Sequence, residues 1–214
     1  IEEVPQNEYV ETKTIKVSME EANQYLDMKS RGSRIVGNAT SLCILSPVPL
    51  IILGTMTEDH TLVGFSLVFL LVLVAIAVYL FVNYGIRDAS MQHLEKESFE
   101  TEYGVSGMVR ERRKQYEPAF TRNIAIGVVL CILSVIPAIM AGVMEADDST
   151  SGISVGILLI IVSIGVNILI RAGMIKSSYD TLLQEGEYTK EEKHLKKKTD
   201  DFSGAYWCLI VVIY

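Results

Sequence analysis

The sequence predicts an all-α integral membrane fold: two parallel-repeat transmembrane helical hairpins, which make four spans, followed by the start of a fifth span. Three observations carry this reading. Four apolar runs without a single charge, at 35–56, 62–82, 124–144 and 152–170, each approach the ~20 residues that a helix needs to cross about 30 Å of hydrocarbon. Sliding the chain along itself without a gap, so that Arg34 falls on Arg122, matches about a third of the positions through Glu97 and Glu185, a fixed period that marks a duplicated unit. The basic residues, finally, lie to one side of the runs. Composition alone would not decide the class, because 50% hydrophobic residues and a mean hydropathy of +0.32 suit a large soluble core equally well. Distribution decides it: a Lys, Arg or Asp at a helix centre costs roughly 2.5 to 3.5 kcal/mol, and none of the four runs bears one.

The first 34 residues form a polar, cytoplasmic juxtamembrane segment without the short apolar core and small-residue cleavage site of a signal peptide. Within it Lys13 to Val17 alternates like a short strand, and Ser18, Met19, Glu20 and Glu21 form a capping-box pattern that starts a helix. Met19, Ala22, Tyr25 and Leu26 share one face of that helix, which is expected to rest on the bilayer or on the other linkers. Hairpin 1 follows over 35–86, a cytoplasmic linker over 87–122, hairpin 2 over 123–175, and a basic cytoplasmic linker over 176–204. The first linker is expected to continue the second helix through Leu94 and to break around Gly104 and Gly107. Residues 205–214, opening on Tyr206 and Trp207, read as the first half of a fifth helix with interfacial aromatics. The chain starts at Ile1 and stops inside that run, so both ends are expected to be cut from a larger protein.

The 88-residue offset pairs Leu42, Cys43, Ile44, Leu45 and Ser46 with Leu130, Cys131, Ile132, Leu133 and Ser134. It also pairs Pro49 with Pro137, Gly54 with Gly142, Gly64 with Gly152 and Gly85 with Gly173. A unit that enters and leaves on one side gives copies that run parallel, unlike the inverted repeats that flag a midplane transport site.

Orientation follows from charge. The loops 57–60 and 145–151 hold none of the 19 Lys and Arg residues but carry Glu58, Asp59, Glu145, Asp147 and Asp148, so they are placed outside. Lys29, Arg31 and Arg34 precede the first run, Arg110 to Lys114 and Arg122 lie between the hairpins, and Lys190 to Lys198 follow the fourth run. The positive-inside rule then puts the protein in the cell membrane, multi-pass, with a cytoplasmic N-terminus. The basic linkers are expected to attract anionic lipid head groups. They lack the aromatic interleaving and recognition-helix pattern of a nucleic-acid surface, so nucleic acid would be a partner only through a domain absent from this chain.

Candidate hinge or sensing positions are Pro47, Pro49 and Pro137, with Ser46 and Ser134 beside them. Each proline removes a helical hydrogen bond and clashes with the carbonyl four residues back, which kinks the helix and frees the carbonyls of Leu45 and Leu133. Asn167 and Arg171 complete the set. They share one helix face, and Arg171 is expected to snorkel to the interface. Asn38, Ala39 and Thr40 spell a glycosylation sequon that is discounted because it lies inside a span. Cys43, Cys131 and Cys208 all sit in apolar runs, as small hydrophobes. His60, His93 and His194 fall on separate segments, and no phosphate loop or nucleophile motif occurs, so neither an enzyme nor a cofactor site is expected.

The strings LCILSPVP (42–49), YGVSGM (103–108), YEPAFTRNIAIGVVLCILSVIP (116–137) and SGAYWCLIVVIY (203–214) resemble the C-terminal membrane region of Xre-type helix-turn-helix transcriptional regulators of Gram-positive bacteria. The resemblance implies a membrane anchor or sensor whose DNA-binding domain lies before residue 1. A transporter or permease-accessory subunit stays open as the alternative, as does self-association into a homo-oligomer.

Overall fold

The computed structural model describes residues 15–96 and 99–189. The expected fifth helix at 205–214, the cluster Lys190 to Lys198 and the first 14 residues lie outside that range. Among the described residues the chain runs β1 (Ile15–Val17), α1 (Met19–Leu45), α2 (Val48–Met56), α3 (His60–Ala89), α4 (His93–Lys96), β2 (Phe99–Thr101), α5 (Val105–Leu133), α6 (Ile136–Val143) and α7 (Asp148–Leu183), then a single 3-10 turn at Gly186–Tyr188. Four helical stretches, α1 with α2, α3, α5 with α6, and α7, are long and apolar enough to cross a membrane. The protein is thus a helical, multi-pass membrane type.

The helices stand in a row. α7 packs on α1 and α2 along one side and on α5 and α6 along the other, while α3 packs on the free side of α1 and α2. The order is therefore α3, α1–α2, α7, α5–α6. Large apolar side chains cover the outside of this row, with Phe65 as much as 69% exposed, as expected where the solvent is lipid and hydrophobic burial between helices gives way to close packing.

At the end of the row where α1 and α5 begin and α3 and α7 finish, a small layer forms that we call the base. β1 and β2 pair in parallel, Val17 opposite Thr101, and Val17, Ala22, Tyr25, Leu26, Leu94, Phe99, Val105, Val109 and Leu182 form one buried cluster beneath them. Ser18 caps α1 by accepting a hydrogen bond from the Glu21 N–H at 3.2 Å, the geometry that its sequence pattern implies.

Three boundaries differ from the sequence reading. The helix that opens at Met19 does rest on the linkers, through Ala22, Tyr25 and Leu26, but it runs unbroken past residue 34 as α1. α3 stops at Ala89 rather than Leu94, and a turn then leads into α4. Gly107 lies inside α5, whereas Gly104 alone makes the break, at a φ of 90° that favours glycine. Pro118 also sits inside α5 without ending it.

Candidate functional site at the seam between the hairpins

Both broken spans break at positions that the 88-residue offset equates. α1 yields to α2 at Ser46 and Pro47, and α5 yields to α6 at Ser134 and Val135. Pro49 and Pro137 then fall in the first turn of α2 and α6, where a missing N–H costs least. Ser46 and Ser134 are both buried and turn their hydroxyls back onto their own helices, donating to the carbonyls of Cys43 at 2.9 Å and Cys131 at 2.6 Å. The two serines thus spend their donors on the turn before the break. Val135 occupies the place of Pro47, so the second break forms with one proline fewer.

The two breaks are not brought together, since α7 lies between the helices that carry them. What α7 does meet is a polar strip on α1. Asn167 donates from Nδ2 to Asn38 Oδ1 at 3.2 Å and to Ser41 Oγ at 3.0 Å, and Ser41 donates to the Ser163 carbonyl at 3.3 Å. Small residues permit the approach: a Cβ at Gly37 would lie 3.2 Å from Arg171 Cγ, and one at Gly152 would run into Thr55 Oγ1. Ser149 adds a hydrogen bond to the Thr55 carbonyl at 3.2 Å near the loops. Arg171 therefore lays its stem across Gly37, at the border between α1 and α7.

Inside each hairpin the crossing point is also small. A Cβ on Gly165 would sit 3.0 Å from the Gly127 carbonyl oxygen, and their offset counterparts in the first hairpin, Ala39 and Ala77, are both fully buried.

The base carries a charge cluster that the sequence reading missed. Lys29, only 8% exposed, reaches Asp88 Oδ1 at 2.6 Å and Glu95 Oε1 at 2.7 Å, while Tyr25 donates to Glu95 at 3.2 Å and Tyr84 to Asp88 at 3.1 Å. Burial alone would push the Lys29 ammonium down, but the hydrogen bonds it donates to Asp88 and then Glu95 outweigh it and leave its pKa above the ordinary lysine value. Burial raises the Tyr25 phenol as well, so it stays protonated and keeps donating. In this way one cation ties α1 to the end of α3 and to α4. On the other side of the base Arg113 pairs with Asp180 and Glu185, joining α5 to the end of α7, in a more exposed setting. The signal for Lys29 was faint. In sequence its basic character marks only orientation, and the buried Tyr25 one turn earlier is the one local sign that it faces inward.

No family model, curated protein or solved structure matches the chain. The geometry and the sequence therefore carry the functional reading between them.

Proposed function

We propose that this chain is the anchor or sensor region of a larger membrane-bound protein, set in the cell membrane with its base in the cytoplasm. The observation that supports it best is the base itself: β1 on β2 and Lys29 on Asp88 and Glu95 join the linker ends of the spans into one layer. A change in how the spans pack reaches that layer directly, because α1 and α7 run from the spans into it without a break. The matched breaks at Ser46 and Ser134 give each hairpin a level at which its outer half can tilt. The resemblance to Xre-type regulators supplies the attached activity, control of transcription through a DNA-binding domain ahead of residue 1. Any ligand or lipid that acts as signal must favour one arrangement of the spans over another.

Two measurements test this reading. In a variant lacking Cys43, Cys131 and Cys208, single cysteines replacing Thr57 and Ser149 are expected to react with an impermeant thiol reagent added to intact cells, and one replacing Ser90 to stay unlabelled; the reverse pattern overturns the orientation. In the full-length protein, Pro49→Ala with Pro137→Ala is expected to change the transcriptional response to its inducing stress. A stably inserted double variant with an unchanged response removes the breaks from the signalling path.

A further inference from the structure

We propose that Arg34, Asn38 and Arg171 form a specific head-group site for an anionic glycerophospholipid, in the groove between α1 and α7 where the apolar runs meet the base. Arg34 immediately precedes the first uncharged run and Arg171 immediately follows the fourth, so two cations from neighbouring helices stand at the same hydrocarbon boundary. That boundary is where lipid phosphates lie. Helical spacing puts Arg34 one turn below Asn38 on the flank of α1 that borders α7, and Arg171 one turn below Asn167 on the facing flank.

The donors are held in place before any lipid arrives. Asn167 gives its N–H to Asn38 Oδ1, which fixes the Asn38 amide with its own N–H groups turned away from that bond and unspent in the seam. Gly37 leaves a notch that the Arg171 stem fills, with Cγ 3.2 Å from where a Cβ would be. Neither arginine is spent on an ion pair among the described residues. Lys29, Arg31, Arg110 and Arg113 all have carboxylate partners, whereas among the described residues no carboxylate lies within ion-pair distance of Arg34 or Arg171. A guanidinium at a hydrocarbon edge gains most from an anion that offers two oxygens to its fork, as a phosphodiester does. The site is single. The offset counterparts of Arg34, Asn38 and Arg171 are Arg122, Ile126 and Asn83, so no second groove repeats the set.

The proposal rests on the membrane-spanning reading, and the test separates the two. The full chain is reconstituted into nanodiscs of phosphatidylcholine that contain a trace of spin-labelled phosphatidylglycerol or of equally labelled phosphatidylcholine. The ratio of immobilised label measures head-group preference. The parent is expected to prefer phosphatidylglycerol several-fold, Arg34→Gln and Asn38→Ala to lower the ratio, and Arg34→Gln with Arg171→Gln to bring it to unity. Arg122→Gln, which removes a cation at the same depth on α5, is expected to leave it unchanged, as is millimolar inorganic phosphate. Equal ratios in the parent and in both Arg34 variants overturn the site. An equal loss in Arg122→Gln reduces it to general surface charge, and displacement by inorganic phosphate makes the ligand a free anion and not a lipid. Failure to enter the discs at all would instead sink the membrane reading.

Discussion

The two hairpins share a plan and differ in what they touch. Each is a span broken at one level, Ser46 or Ser134, followed by an unbroken span that crosses it at paired small residues. Yet α7 is packed on both sides and α3 on one. Gly152 on α7 is closed off by Thr55, while its offset counterpart Gly64 on α3 meets nothing within 4 Å. Asn167 and Ser163 on α7 bond across to α1, and their counterparts Tyr79 and Ala75 are exposed. The difference teaches that the plan of a hairpin tolerates variation, whereas the contact between hairpins depends on side chains present in only one of the two hairpins. Polar residues and glycine appear where helix must meet helix in lipid, because there they supply the contact energy that apolar burial does not.

The largest effects are expected at the base. Lys29→Met removes the cation from two partly buried carboxylates and should lower stability by about 2 to 3 kcal/mol, read from unfolding in mixed micelles. Adding Asp88→Asn and Glu95→Gln should recover most of it. The cation that ties α5 to the end of α7, Arg113, is more exposed, so Arg113→Met should cost only about 1 kcal/mol. Equal losses at the two positions would erase this contrast. Next in size is the seam: Gly152→Val forces a branched side chain into Thr55 and should cost about 1 to 3 kcal/mol, whereas Gly64→Val should stay within about 0.5 kcal/mol of the parent. Asn167→Ala removes two interhelical hydrogen bonds and should cost about 1 kcal/mol.

The smallest effect concerns Asp180. Burial raises its pKa more than Arg113 and Lys176 lower it, so the folded state holds its proton more tightly than the unfolded chain does. With the folded pKa above the unfolded one, this group favours folding more as pH falls through the carboxylate range and disfavours it at neutral pH. Asp180→Asn should therefore be neutral or slightly stabilising at pH 7, within about 0.5 kcal/mol, and should flatten that part of the pH profile.

Much of the fold is legible because apolar run length acts over many residues at once. Four spans, the cap at Ser18 and the short strand ending at Val17 all follow from local pattern. The candidate positions were read one by one, and there the sequence showed only part. Asn167 and Arg171 are visible as polar residues on one face, but Asn38 reads only as a stray sequon, since nothing local reveals that side chains 129 residues apart meet. The Lys29 cluster is hidden for the same reason: Asp88 ends α3 and Glu95 sits in α4, 59 or more residues from Lys29, and only the packing of α1 on α3 brings them together. Gly107 was misread as a break because glycine in a helix start looks like glycine in a turn until the left-handed residue, Gly104, is known.

The hairpins meet where α1 and α2 pack on α7, and not through the equivalent faces of α5 and α3. In a chain without its native cysteines, Ser41→Cys with Ser163→Cys is predicted to form an intramolecular disulfide on mild oxidation, seen as a mobility shift reversed by reductant. The offset-matched pair, Val129→Cys with Ala75→Cys, is predicted to form none within one chain. Efficient closure of the second pair with failure of the first would contradict the arrangement.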